Sequence, residues 1–387
     1  MFKEKKRILI LFEFGFIAYS PTTLQIYDAL IQKGHHVDIL TPIPAAPYDT
    51  VISNRNIFYT INTNNKLVRW IGKIIYYILT KIKFLKFFKI LKIIDVYSFI
   101  RCFFILHKFS KIKGHYDRFI VSDLSLLFFL QYFYKVKADF LSLEIVEFYP
   151  KLMTYIDKNL IHSVIIQSEA RYTHLFGNIL KPKYFIQNAP TFDERLLSKV
   201  KYKDHLIFAG TALKGLCIFE CLDFLMKFPE FKMTIKGKVP EDVNIVIKKD
   251  YHSLTHSGQL IVNSEFMEND EFITYISDYS IGLCFYDLKD VFFGNFNYRT
   301  APSGKLYKYL AAGVPVIAID IPGFDDVREY NAGILIDKLD PQSLKNAVDT
   351  IVLNYDVYRN NAIKLAIKNS FENTSKGFLE TFQNEDK

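Results

Sequence analysis

Apolar residues fall along this chain in two alternating rhythms: short solid runs, and longer stretches in which they recur at helical spacing. Residues 7–14 (RILILFEF) are a solid run and predict a buried strand. A loop with Gly15, Ser20 and Pro21 follows, and residues 22–33 predict a helix, with Leu24, Tyr27, Leu30 and Ile31 on one face. GHHVDILT (34–41) then predicts a turn and a second strand. Strand, loop, helix and strand in that order open a parallel α/β sheet. DRFIVSD (117–123), ADFLSLE (138–144) and SVIIQSE (163–169) are further short strands, and KYFIQNAPT (183–191) is the last of the series. A second series starts near residue 203, with strand candidates HLIFAG (205–210), FKMTIKG (231–237), SIGLCF (280–285), PVIAID (315–320) and AGILID (332–337). The tail, 341–383, is mostly helical in pattern.

The chain has 387 residues, too many for one ordinary core. The repeated rhythm predicts an α/β protein of two Rossmann-like, doubly wound domains facing each other across a cleft. The expected boundaries are 1–198, 199–365, and a C-terminal helix over 366–387 crossing back to the first domain.

Composition narrows this picture. Half of the residues are hydrophobic, which excludes a disordered or fibrous chain. The cysteines at 102, 217, 221 and 284 have no histidines at metal-ligand spacing, and read as buried free thiols suited to a reducing compartment. MFKEKKRILILFEFGF mimics a leader, but Glu13 interrupts its apolar core and no small-residue cleavage site follows, so it reads as a strand. No uncharged apolar run reaches the ~18 residues a membrane helix needs. A cytoplasmic protein is the expectation. The net charge of +8 is concentrated: residues 66–113 hold twelve bases and one acid, Asp95, a local +11 that leaves −3 for the remainder.

The segment richest in chemistry is APSGKLYKYLAAGVPVIAID (301–320). A Pro-Ser-Gly loop opens a helix near Ser303, so that exposed amides, a hydroxyl and Lys305 suit a phosphate. Gly313 and Pro315 end the helix and lead into a strand. AGTALKG (209–215) directly follows a strand, and ligands of doubly wound sheets bind at strand carboxyl ends, where Lys214 can meet the same anion. Each segment also has a plain reading, a helix–turn–strand and a βα turn with solvated lysines.

PSGKLYKYLAAGVPVIA resembles the nucleotide-sugar segment P-S-K-L-x-E-Y-x-A-x-G-x-P-V-I-A of GT-B glycosyltransferases, above all of the retaining family 4. ENDEFITYISDYSIGLCFYD (268–287) is similar to the block before it. SVIIQSEARYTHLFG (163–177) and IQNAP (186–190) resemble the exit from the N-terminal domain, and LQIYDALIQKGHHVDILT (24–41) resembles the opening βαβ. The resemblance implies a sugar moved from a nucleotide-diphosphate donor, bound by the C-terminal domain, to an acceptor held by the N-terminal one. It implies donor contacts by Gly15, Gly210, Lys214, Ser303, Gly304, Lys305 and Lys308. Glu144 stands where many members carry a histidine, and with Asp123 it is the candidate catalytic carboxylate, able to orient or deprotonate an acceptor hydroxyl. A helix cap or a surface position is the bland alternative for both.

The chain departs from the family's pattern at two places. Thr300 and Lys308 occupy the positions of its paired glutamates, and Lys308 cannot accept ribose hydroxyl hydrogens as a carboxylate does. Thr211 stands where an arginine often follows the glycine. Glu265, Glu268 and Glu271 are substitutes left unranked. No D-x-D supports a metal-dependent mode, and no cofactor is expected beyond the nucleotide-sugar co-substrate. HSLTH (252–256) lacks a third zinc ligand.

On a helix over 77–94, Tyr77, Phe84, Phe87, Phe88, Leu91 and Ile94 share one arc; Lys81, Lys86, Lys89 and Lys92 lie opposite, with Lys83 at the edge. This pattern suits an anionic membrane surface, each lysine contributing roughly 1 kcal/mol. The alternative is an arc packed on the sheet. No nucleic-acid module surrounds the lysines, so nucleic acid is not an expected partner. With the resemblance, this points to a lipid-linked or surface-glycan acceptor at the inner face of the cell membrane. A non-catalytic glycan-binding relative and a nucleotide-sugar epimerase are the rival readings.

Overall fold

The computed structural model describes residues 5–14, 17, 20–43, 54–60, 65–81, 93–142, 150–177, 180–198, 202–265, 267–289, 299–300 and 303–383. Gly15, Glu144 and the stretch Lys83, Phe84, Lys86, Phe87, Phe88, Lys89 and Lys92 lie outside the described residues, as does the side chain of Lys81. The chain forms two units: Met1–Gln187 with Thr374–Lys387, and Asn188–Asn373.

The first unit holds a parallel sheet of seven strands in the order β3-β2-β1-β4-β5-β6-β7. These are β1 (Arg7–Leu11), β2 (His36–Thr41), β3 (Ile57–Tyr59), β4 (Arg118–Ser122), β5 (Ala138–Leu141), β6 (Ile161–Ile166) and β7 (Lys183–Phe185). Helices α1 (Pro21–Gln32), α2 (Lys66–Lys81), α3 (Val96–Ile112), α4 (Leu124–Tyr134) and α5 (Glu169–Phe176) connect them. The strands are nearly solid apolar runs because a sheet covered on both faces presents no face to water. Asp95 starts α3 by accepting from the amides of Tyr97 (2.7 Å) and Ser98 (2.9 Å). Residues 93–95 are a turn and Ile94 is buried, so a single helix does not run to 94.

The second unit holds six parallel strands in the order β10-β9-β8-β11-β12-β13. They are β8 (Tyr202–Ala209), β9 (Lys232–Lys236), β10 (Leu260–Asn263), β11 (Tyr279–Cys284), β12 (Val316–Ile319) and β13 (Gly333–Ile336). Its helices are α6 (Ile218–Lys227), α7 (Glu241–Asp250), α8 (His252–His256), α9 (Asn269–Ile276), α10 (Gly304–Ala311), α11 (Asp325–Glu329), α12 (Pro341–Leu353) and α13 (Tyr355–Asn369). Both units are thus Rossmann-like. In each, the first strand lies beside the fourth, and the winding reverses between β1 and β4 and again between β8 and β11.

Helix α14 (Phe371–Glu380) carries the chain back to the first unit. Phe378 packs on Tyr184 (ring centroids 5.6 Å), and the Arg118 guanidinium lies 3.9 Å from the Phe382 ring centroid. Arg118 also donates to Asp139 (2.7 and 3.1 Å) and to the Thr381 hydroxyl (3.0 Å), tying this tail to β4 and β5.

Candidate active site

In the second unit the switch point is organised by a buried tyrosine. Tyr309 of α10 accepts the Ala209 amide proton at 2.6 Å, and its hydroxyl reaches the carbonyls of Ile207 (3.2 Å) and Leu283 (3.4 Å). It therefore holds α10 against the ends of both β8 and β11. Gly282 makes room for it, since a Cβ there would stand 2.5 Å from the ring. The loop ends are equally close: a Cβ at Gly237 would lie 2.3 Å from the Gly210 carbonyl oxygen, and Gly210 itself adopts φ +100.

Helix α10 starts at this point. Ser303 is its N-cap, accepting from the Lys305 amide at 3.3 Å. A Cβ on Gly304 would come 3.2 Å from Asn188 Nδ2, so that first turn is tightly shaped. Lys305 folds inward with its Nζ 4.3 Å from the Phe208 ring centroid, and its stem passes Gly210. The Nζ is fully enclosed, although the residue as a whole keeps some exposure, and it has no hydrogen-bond partner among the described residues. Burial holds its pKa below the ordinary lysine value.

Cys284, Cys221 and Cys217 face this amine. They supply no counter-charge, because burial pushes Cys217 up to about 12 and Cys284 up to about 11, and raises Cys221 well above the usual thiol range. All four cysteines are free and buried. Among the described residues, an enclosed amine thus stands beside a helix amino terminus with no hydrogen-bond partner, and both features favour an anion.

Lys214 is exposed on the turn Lys214–Leu216 after β8, and the Gly215 carbonyl accepts the Asp287 amide at 2.9 Å, pinning that turn to the segment after β11. Lys308 turns away to lie 4.8 Å from the Phe272 ring centroid, and burial lowers its pKa. Among the unranked glutamates, Glu271 accepts from the Glu268 amide at the start of α9 (3.4 Å), and Glu265 offers its carbonyl to Lys236. Lys236, the last residue of β9, escaped the sequence reading. Its Nζ donates to Asn263 Oδ1 and to the Glu265 carbonyl, both at 2.9 Å, and lies 5.0 Å from the Tyr275 ring centroid. A lysine closing a strand just before a glycine was the signal available.

The matching switch point of the first unit holds Asp123, after β4, beside Glu13, after β1. Glu13 is fully buried; Oε1 accepts from Ser98 (2.5 Å) and Arg101 (2.9 Å), and Oε2 accepts from the Ser125 hydroxyl. Asp123 precedes α4 in a left-handed conformation, φ +74, which is strained for a residue with a Cβ. It does not cap the helix with its side chain; it accepts from the Ser122 hydroxyl at 2.7 Å. Burial first, then the Glu13 charge, push its carboxyl up to about 7. In the sequence Asp123 stands out at a strand end, whereas Glu13 shows only as an interruption of an apolar run and Arg101 as one base among twelve.

Among the described residues no group of histidine, cysteine, aspartate and glutamate side chains could hold a metal ion. His252 and His256 lie on one short helix, with His256 Nδ1 2.8 Å from the His252 carbonyl.

No protein-family model matches the chain, and no curated protein matches it. Solved structures do. Anabaena Alr3699/HepE, in complex with UDP and glucose, is similar at a TM-score of 0.64 and 13% identity, over 98% of this chain and 100% of that one. The N-terminal domain of Candida albicans trehalose-6-phosphate phosphatase is similar at 0.63 and 11%, over 100% and 98%. The spinosyn rhamnosyltransferase SpnG, complexed with spinosyn aglycone, is similar at 0.53 and 10%, over 97% and 100%. At these identities the likeness defines the fold, which is GT-B: two Rossmann-like domains in tandem.

Proposed function

We propose that the protein is a glycosyltransferase of the hexosyltransferase type, akin to the retaining family 4, that moves a sugar from a nucleotide-diphosphate donor onto a lipid-linked or surface-glycan acceptor. The observation that carries this reading is the enclosed amine of Lys305 at the amino end of α10, an amine with no hydrogen-bond partner among the described residues. The donor diphosphate pairs with that amine and with the positive amino end of α10, and Lys214 approaches from the loop after β8. As the anomeric bond breaks, negative charge grows on the leaving diphosphate, and these fixed donors stabilise it without a metal. Asp123 and Glu144 are assigned to the acceptor hydroxyl, whose proton must leave as the new glycosidic bond forms. UDP is the first nucleotide to try, since HepE is described in complex with it. The acceptor is a precursor of capsule, lipopolysaccharide or exopolysaccharide, met at the cytoplasmic face of the membrane.

A second reading, a GT-B protein that binds glycan without catalysis, draws on Lys308, which occupies a carboxylate position of the resembled motif and rests on Phe272. Calorimetric titration with a panel of nucleoside diphosphates, repeated on Lys305→Ala, separates the two. Tight binding that the substitution abolishes supports the donor site; absent or millimolar binding to every nucleotide overturns it. Isomerisation of a free sugar nucleotide without acceptor would mark an epimerase instead.

A further inference from the structure

Helix α2 is apolar on two sides. Gly72 presses one side onto α3, where a Cβ would stand 2.1 Å from Ile100 Cδ1, and Tyr76 packs there on Phe99 at 6.0 Å between centroids. The other side carries Leu67, Trp70, Ile71, Ile74, Tyr77 and Ile78, recurring at helical spacing, all of them exposed. Leu67 is 61% exposed, Trp70 62% and Tyr77 61%. A surface helix ordinarily turns such a stripe inward and shows polar residues to water. The exposed cations Lys66, Arg69 and Lys73 run along one border of the stripe, and α2 contains no acid. Arg69 and Lys73 flank the exposed Tyr97 ring, at 5.4 and 5.9 Å from its centroid.

We infer that this open face of α2 docks on an anionic lipid bilayer, lying in the headgroup boundary with its cations at the phosphate level. An apolar stripe bordered by lysine and arginine is complementary to that environment and to few others. A second copy of the chain is a poorer occupant, because an antiparallel two-fold contact through α2 sets its cations against their own copies and a parallel one leaves them without an acid to meet on α2. No helix among the described residues is long and apolar enough to cross a membrane, so α2 lies on the surface rather than spanning it. The inference rests on the proposed function only in placing a lipid-borne acceptor there; the docking itself stands on α2.

Trp70 is the only tryptophan of the chain, so its emission reports on this face alone. The full-length protein is mixed with phosphatidylcholine vesicles and with mixed phosphatidylcholine–phosphatidylglycerol vesicles, with and without brominated acyl chains. A blue shift and bromine quenching with the anionic vesicles, weakened by salt, are expected. Arg69→Gln with Lys73→Gln weakens the vesicle affinity roughly thirtyfold and leaves nucleotide binding unchanged. Unaltered emission with both vesicles overturns the inference. So does a blue shift that follows protein concentration in lipid-free buffer, which would assign the face to a second copy. Vesicle binding that persists without any nucleotide affinity would fail the donor site and leave the docking intact.

Discussion

The carboxyl ends of β1 and β4 and those of β8 and β11 occupy the same place in two sheets of the same winding, yet they treat a buried charge in opposite ways. In the first unit, Glu13 is enclosed with both carboxylate oxygens bonded and Arg101 beside it. In the second, Lys305 is enclosed with no hydrogen-bond partner among the described residues, and with thiols that stay protonated around it. Desolvating an ion is tolerable when its partners come with it and costly when they do not. The first arrangement carries its own counter-charge, whereas among the described residues the second does not. Topology alone marks both places; the state of the hydrogen bonds distinguishes a satisfied network from an unsatisfied amine.

Arg101→Ala should have the largest effect, a loss of about 3–5 kcal/mol of stability, because it leaves the Glu13 carboxylate buried without its cation. Chemical denaturation measures this, and a loss below about 1 kcal/mol would mean that Glu13 needs no partner. Lys305→Met should act in the other direction on stability, raising the melting temperature slightly, while nucleotide affinity falls roughly tenfold to a hundredfold. A clear drop in stability would erase the contrast between the two units. Tyr309→Phe should cost about 1–3 kcal/mol, since the Ala209 amide loses its acceptor, and should weaken nucleotide binding by loosening α10. Nucleotide affinity equal to wild type would show that α10 is held by other contacts.

The last test concerns pH. Asp123 has its folded pKa raised above the unfolded value, so the folded state holds a proton that the unfolded state has released. That contribution is fully present below the ordinary carboxylate range and is lost as pH rises toward about 7. Wild type should therefore lose stability relative to Asp123→Asn across that window, in melts recorded at stepped pH. Parallel curves would place the Asp123 carboxyl in water rather than beside Glu13.

Most of the sheet was legible because strands covered on both faces are solid apolar runs, as in RILIL and VIAI. The exceptions are β3 and β10, edge strands with exposed residues such as Phe58 and Ile261, whose mixed patterns carry no such signal. The start of α10 at Ser303 was legible from its loop chemistry. The partners of Glu13 were not, because Ser98, Arg101 and Ser125 come from the starts of two helices about a hundred residues further along, and only the fold brings them to β1. The lysine-rich arc of 77–94 lies mostly outside the described residues; the exposed stripe among the described ones lies on 67–78, where periodicity alone does not tell which of two apolar sides α3 covers.

The return of α14 sets an order of events during synthesis. Phe378 and Phe382 are buried in the first unit, but the ribosome makes them only after the whole second unit. The second unit can finish its core while the first still exposes the groove that these two rings will fill. A nascent chain stalled just before residue 374 should thus contain one protease-resistant unit and one still open to cleavage.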